Sequence, residues 1–163
     1  MNALRKILLI EDEPAVSKVV AWCLEDWPGT QIDCVSDGTE AVAKIGATQY
    51  GLAIIDGRLP GASSLQLVEL AVERNIPVLL TTGHPDLANK LDEAGFPYLS
   101  KPFALDSLLL KSQAIIAESK DNIRRVRASL ETLKCQGDAL KDALNQSKLL
   151  IEDAAQIMQD AQK

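Results

Sequence analysis

The chain predicts an α/β fold: a doubly wound, five-stranded parallel sheet followed by a long C-terminal helix that pairs as a coiled coil. Short apolar runs alternate with stretches of helical spacing over residues 5–103. Each run ends on polar or charged residues, and after Phe103 the apolar positions change to a seven-residue beat. Strands that are apolar on both faces and separated by helices belong to a parallel sheet covered on both sides.

The elements follow in order. Lys6 to Ile10 reads as a buried strand, and Glu13 to Glu25 repeats Val16, Val19, Val20 and Leu24 at helical spacing. Gln31 to Val35 is a second strand, with a helix opening near Asp37 that carries Ala41, Val42 and Ile45. Leu52 to Ile55 is the third strand and Leu65 to Val72 the third helix. Pro77 to Leu80, a short helix around Leu87 to Ala94, a strand at Tyr98-Leu99 and a helix after Pro102 complete the βα repeats.

Composition narrows the classes. Residues 1–103 hold 8 basic and 14 acidic side chains, whereas residues 104–163 hold 9 of each. Neither part has the basic surplus that binding a phosphate backbone requires. Six aromatic residues leave no platform for stacking bases. Cys23, Cys34 and Cys135 are odd in number and lack C-x-x-C spacing, so they read as small packable side chains. No apolar run reaches the roughly 18 residues that span a bilayer, and Met1 to Lys6 leads into a strand instead of a signal-type stretch. A cytoplasmic protein with no membrane contact is the expectation.

The chemistry gathers at one edge. The first strand ends in Glu11-Asp12, the third in Asp56, the fourth in Thr81-Thr82-Gly83 and the fifth in Ser100-Lys101-Pro102. In doubly wound sheets ligands bind beyond the carboxyl ends of the strands, where the winding reverses. Three carboxylates close together repel, and an oxygen-only set with few ligands suits Mg²⁺, which keeps several of its waters. A carboxylate beside such an ion is a competent nucleophile toward phosphorus. Asp56 is then the acceptor of a phosphoryl group, with an ammonium and a hydroxyl to hold its oxygens.

Residues 1 to about 118 resemble the receiver domain of two-component response regulators. The match rests on Glu11-Asp12, on Asp56 with Leu59-Pro60-Gly61 behind it, on Thr82, and on Lys101-Pro102-Phe103. The resemblance implies a flavodoxin-like sheet and phosphorylation of Asp56 by a histidine kinase or phosphotransfer protein. It implies that Asp12 and Asp56 ligate Mg²⁺, with Glu11 acting through water and the backbone carbonyl of Arg58 as a further ligand. Thr82 moves toward the phosphoryl group, Lys101 contacts it, and Pro102 follows a cis bond that aims the lysine. Tyr98 takes the place of the aromatic that turns inward on activation; its plain alternative is a half-buried tyrosine at a strand start.

Some positions depart from the pattern. Ser63-Ser64 stand where an acid and a glycine often follow the proline turn, which alters how the third helix starts. The short stretch from Gly83 to Gly95 leaves a fourth helix of about two turns and questions the usual dimer face. His84, the single histidine, reads as a loop residue at the crevice rim. A Mg²⁺-dependent phosphohydrolase is the rival enzyme reading, but such enzymes tend to place a second acid two residues after the nucleophile, where this chain has Arg58. A degenerate docking module is disfavoured, since no member of the acceptor set is missing.

The 60 residues after Phe103 contain no proline, no aromatic residue and one glycine, Gly137. The beat runs Leu109, Ile116, Ile123, Leu130, Gly137, Leu144, Ile151 and Met158, with a second set from Ser112 and Ser119 through Val126, Leu133, Leu140, Ser147 and Ala154 to Ala161. A heptad seam of this length indicates a coiled coil. Lys120, Arg127, Lys134, Lys141 and Lys148 flank it on one side, Asn122, Ser129 and Gln136 on the other. The favoured architecture is the last receiver helix running on unbroken through residues 119–163, a rod of roughly 90 Å that pairs with a second copy through residues 105–161. The alternative is a hairpin broken at Gln136-Gly137-Asp138. With no second core and no turn-helix signature there is no DNA-binding domain, so output runs to a downstream protein target through the helical extension.

Overall fold

The structure is a computed structural model that describes residues 4–138. Five parallel strands, β1 (Arg5–Ile10), β2 (Thr30–Val35), β3 (Leu52–Asp56), β4 (Val78–Thr82) and β5 (Tyr98–Ser100), lie in the order β2-β1-β3-β4-β5. Between them run α1 (Pro14–Glu25), α2 (Gly38–Ala47), α3 (Ser64–Glu73) and α4 (Pro85–Glu93), and α5 (Leu105–Ala117) follows β5. This is the expected doubly wound sheet. β3 and β4 are buried along their whole length, as strands covered on both faces must be.

Alternation of side chains divides the core. Ile7, Leu9, Leu52, Ile54 and Leu79 pack with Val20, Ala21 and Leu24 of α1 and with Leu108 and Ile115 of α5. Leu8, Ile10, Ile55 and Leu80 are turned to the other face and are fully or nearly fully buried there, as are Ala41, Ile45, Leu67 and Ala71 of α2 and α3. At residue 37 the expected helix start is made by the Asp37 carboxylate, which accepts from the Glu40 N–H at 2.9 Å. The winding reverses at β1, flanked by β2 and β3, so the crevice opens above the carboxyl ends of β1 and β3.

The last receiver helix does not run on unbroken, which corrects that expectation. α5 closes at Glu118, whose backbone lies at φ −112° and ψ 38°. A second helix, α6, then spans residues 119–138. The Glu118 N–H still donates to Ala114 O, and its carbonyl accepts from Asn122 N, so one residue caps both helices. No glycine or proline marks the elbow; the docking of α6 decides it. Ile123, Val126 and Leu130 are 8%, 0% and 5% exposed, which puts the beginning of the heptad seam inside the same chain.

Three polar side chains fasten α6 under the amino edge of the sheet. Asn122 clasps the first residue of β4, accepting from the Val78 N–H at 2.8 Å and donating to its carbonyl at 3.1 Å. Arg127 donates to Val72 O at 2.7 Å, and the Ser129 hydroxyl donates to Ala94 O at 2.7 Å, just past the end of α4. Each clasp bonds a backbone group at an element end, although Val72 O also accepts from the Asn75 N–H at 3.1 Å.

The chain divides into a compact unit of residues 1–130 and a second unit of residues 131–163. Gln136, Gly137 and Asp138, the alternative break point, are helical and exposed, and the residues after them lie outside the described part of the chain. The remainder of the expected seam, from Leu140 through Leu144, Ser147, Ile151, Ala154 and Met158 to Ala161, lies outside the described residues, as do Lys141 and Lys148.

Candidate functional site: an acidic crevice at the switch point

β1 and β3 deliver their carboxylates side by side because Ile10 pairs with Ile55 in register, which places Glu11 next to Asp56. One carboxylate oxygen from each of Glu11, Asp12 and Asp56 lies within 4.8 Å of the others. Glu11 and Asp56 are 4% and 8% exposed, whereas Asp12 opens to solvent. Lys101, brought in from the end of β5, donates to Glu11 Oε2 at 2.7 Å and to Asp56 Oδ2 at 3.2 Å. The Lys101-Pro102 bond is cis, as the resemblance implied.

Burial pushes the Glu11 carboxyl above its ordinary value and the Asp56 carboxylate adds to the rise, against the lowering effect of Lys101. Burial pulls the Lys101 ammonium down, but the two carboxylates outweigh it and the net shift is upward. One cation thus serves two buried acids, with a third beside them. A set of hard oxygen donors with more negative charge than its single lysine can offset is suited to a divalent cation.

The loop after β3 explains why Asp56 runs straight into Gly-Arg-Leu-Pro-Gly. A Cβ on Gly57 would stand 2.7 Å from the Leu87 side chain and 3.2 Å from Thr81 O and Thr82 Cβ, so only glycine lets the loop pass β4. Gly61 sits at φ 88°, a left-handed turn, and a Cβ there would stand 2.9 Å from Thr39 Oγ1. Within the loop the Arg58 N–H points to Asp56 Oδ1 at 3.4 Å, and Arg58 lines a depression together with Asp12, Leu59 and Pro60.

Thr82 closes the other side of the crevice. It is 1% exposed, and its Oγ1 accepts from the His84 N–H at 3.1 Å. His84 is the N-cap residue of α4, so the rim histidine acts here through its backbone. Tyr98 is not brought into the crevice. Its hydroxyl donates to Asp92 Oδ2 of α4 at 2.8 Å, which raises its pKa, and its carbonyl accepts from Lys111. Glu11, Asp12, Asp56, Thr82, Lys101 and the Arg58 backbone therefore gather at one edge, with Tyr98 facing outward beside α4.

Two residues escaped the sequence reading. The Ser64 hydroxyl is buried and donates to Asp56 O at 2.7 Å, tying the start of α3 to the end of β3 across the loop. Asn122 was visible only as a neutral flank of the heptad. For Ser64 the available signal was a serine at a helix start directly after a functional loop; for Asn122 it was an amide one position before an apolar seam residue.

A doubly wound sheet with acid ligands and one lysine at its switch point defines a class of α/β protein equipped for hard-cation and phosphoryl chemistry. Within that class the chain belongs to the response regulator receiver domain family, whose family model matches residues 7–113. It is 30% identical over 149 residues to the C4-dicarboxylate transport transcriptional regulatory protein DctD of Rhizobium meliloti, covering 88% of this chain and 31% of that protein. It is 31% identical over 115 residues to the transcriptional regulatory protein TcrA of Mycobacterium tuberculosis, covering 68% of this chain and 45% of that one. The chain thus spans less than half the length of these two relatives. Among solved structures, a receiver domain protein from Clostridium thermocellum shares 27% identity at a TM-score of 0.62, over 72% of this chain and 98% of that one. The response regulator TrrA of Thermotoga maritima, solved in complex with Mg(2+)-BeF, shares 26% at 0.60, over 68% of this chain and 98% of that one.

Proposed function

We propose that Asp56 accepts a phosphoryl group from a histidine kinase or phosphotransfer protein and that the chain signals onward through protein contacts of its helical extension. The observation that carries this reading is the cluster of Glu11, Asp12 and Asp56 with the Lys101 ammonium 3.2 Å from Asp56. Asp12, Asp56 and the Arg58 carbonyl would hold Mg²⁺, with Glu11 acting through water, and the ion would supply neutralisation of charge on the phosphoryl oxygens. The relative solved with Mg(2+)-BeF supports the metal assignment.

The chain's own residues do the remainder. An oxygen of the Asp56 carboxylate attacks phosphorus, the bond from phosphorus to the donor's imidazole nitrogen breaks, and its electron pair stays on that nitrogen. Lys101 turns from the carboxylates to a phosphoryl oxygen, and the Thr82 hydroxyl donates to another while its oxygen accepts from the His84 N–H. An apolar strip of Val16, Val19, Phe103 and Leu105 borders Lys101, with Val19 45% and Leu105 38% exposed, and offers the donor protein a seat beside the crevice. The heptad positions beyond residue 130 are those left to meet a second copy of the chain and a downstream protein target in the cytoplasm. A second reading follows from the relatives' lengths: these residues are the receiver portion of a longer transcriptional regulator whose output domain is not in this chain.

The test is incubation with acetyl phosphate and Mg²⁺ followed by intact mass measurement. One phosphate adduct is expected, absent when the metal is chelated beforehand and absent in Asp56→Asn. An adduct that persists in that variant removes Asp56 from the role, and sustained turnover of phosphate esters supports the hydrolase instead.

A further inference from the structure

We propose that the basic stripe of α6, which starts with Lys120, Arg124 and Arg127, is the seat of an acidic helix from a different protein. The proposal deepens the reading in which the chain signals through protein contacts of its helical extension, and it rests on that reading for the partner being a protein.

The stripe begins on the folded unit. Lys120, Arg124 and Arg127 follow one another at four and three residues, so they stand a turn apart along one side of α6. Together with Asn75, Ser119 and the edge of Ile123 they line an open depression of about 650 Å³. Arg127 is held in place there: its guanidinium donates to Val72 O at 2.7 Å and to Asn75 Oδ1 at 3.4 Å. Both acceptors are neutral and both bonds use Nη2, so the charge stands and donors remain for a carboxylate. Arg124 pairs with Asp121 at 2.6 Å, but both side chains are exposed, and such a pair is worth little and is readily exchanged for another. Lys120 makes no hydrogen bond or ion pair among the described residues. Three cations thus border one depression with a single carboxylate beside them, on a chain whose net charge is −6.

The sequence says what kind of anion matches. Lys120, Arg127, Lys134, Lys141 and Lys148 stand seven apart, and seven residues of helix rise about 10.5 Å. An acid at every seventh position of a second helix reproduces that spacing. Another copy of this chain does not supply it. In a parallel pair the stripe meets Asn122, Ser129, Gln136, Ala143 and Leu150, none of them acidic, and in an antiparallel pair it meets itself, cation against cation. A pair formed along the seam therefore leaves the stripe uncompensated, and the complementary helix belongs to another protein. Nucleic acid matches less well, since duplex DNA carries one charge per about 1.7 Å of axis, several times the density of the stripe. A membrane surface matches less well too: the apolar side chains that adjoin the stripe, Ile123, Val126 and Leu130, are buried in the fold and cannot enter lipid.

The probe is a labelled helical peptide of about four heptads with glutamate at every seventh residue, titrated with the full chain and read by fluorescence anisotropy. Its control has the same composition with the glutamates moved off that spacing. The repeating peptide is expected to bind about tenfold more tightly than the control, and to weaken about tenfold as salt rises from about 50 to about 300 mM. The double variant Lys120→Gln, Arg124→Gln is expected to lose about tenfold in affinity. Neither side chain docks α6, so an unchanged circular dichroism spectrum and urea midpoint certify the fold. In the wild type the amide resonances of Asn75 and Ser119 should shift on binding. Equal affinity for the two peptides, or an unaltered affinity in the folded double variant, overturns the seat. Displacement of the peptide by short duplex DNA or by phosphatidylserine vesicles at lower concentration overturns the choice of a protein partner. The same samples are treated with acetyl phosphate and Mg²⁺ and weighed. Peptide binding without a phosphate adduct upholds the seat and removes the phosphoacceptor reading, and an adduct without peptide binding does the reverse.

Discussion

At the carboxyl edge of the sheet Glu11, Asp12 and Asp56 crowd around one ammonium, whereas at the amino edge Asn122, Arg127 and Ser129 each bond a backbone group at an element end. Both edges bury polar atoms. The first leaves a surplus of like charge that only a ligand relieves, and the second leaves nothing unsatisfied at those positions. The same strand, β4, joins them, with Thr82 at one end and Val78 at the other. A polar group in such a fold is therefore to be judged by whether its partners are already present: where they are, it stabilises, and where they are not, it waits for chemistry.

That contrast breaks or holds most visibly on truncation. A chain ending at residue 130 keeps Ile123, Val126 and Leu130, while one ending at residue 118 loses all three together with the Asn122 clasp. Burying each such side chain contributes about 1.5–3 kcal/mol, so the shorter chain is expected to be about 4 kcal/mol or more less stable in urea titration. Equal stability of the two would show that α6 is an appendage and not part of the folded unit.

Next in size is Asn122→Ala. It strips both the N–H and the carbonyl of Val78 of their partner in a site that is 6% exposed, at a cost of about 1–3 kcal/mol. The unfolding midpoint measures it. A change within experimental scatter would mean that water replaces the amide, and the amino edge would then be no better satisfied than the carboxyl edge.

How far these two edges were legible in the sequence differs for a physical reason. The crevice residues sit where apolar runs stop, so the ends of those runs mark Glu11, Asp56, Thr82 and Lys101 in the sequence itself. The elbow at Glu118 carried no such mark. Its residues are ordinary helix formers, and the heptad passes through them in phase, because the local pattern asks only for an apolar neighbour and does not say which one. The domain supplied that neighbour by tertiary contact, and propensity yielded to it. Ser64 was hidden similarly: a serine at a helix start reads as a cap, and only the packing of the loop turns its hydroxyl onto Asp56 O.

At the carboxyl edge the sign of a substitution should reverse. Asp12→Asn removes one charge from the crowded set without touching the Lys101 bonds. The metal-free protein is expected to gain about 1 kcal/mol or less, because Asp12 is exposed and its repulsion is screened. The same variant loses the thermal stabilisation that Mg²⁺ gives the wild type, which near a hundredfold excess over the dissociation constant is about 2.7 kcal/mol. Melting curves with and without Mg²⁺ read both effects. A destabilised Asp12→Asn that still responds fully to Mg²⁺ would contradict the account of this edge.

The smallest effect is a pH slope, and its sign follows from Glu11. Burial and the neighbouring Asp56 hold its carboxyl above the ordinary value of 4.5 in the folded, metal-free chain. The folded state therefore keeps the Glu11 proton to a higher pH than the unfolded state does. Its contribution to stability is fully present below about 4.5 and is lost as pH rises through the raised value. Most buried carboxylates whose charge is matched behave in the opposite sense, gaining stability over that range. Urea midpoints measured across this window in the absence of metal should fall for wild type relative to Glu11→Gln, which has no proton to lose there. Mg²⁺, by binding the ionised set, should abolish the difference. If the two proteins keep parallel profiles without metal, Lys101 at 2.7 Å already neutralises Glu11 in full, and the carboxyl edge is as well satisfied as the amino edge.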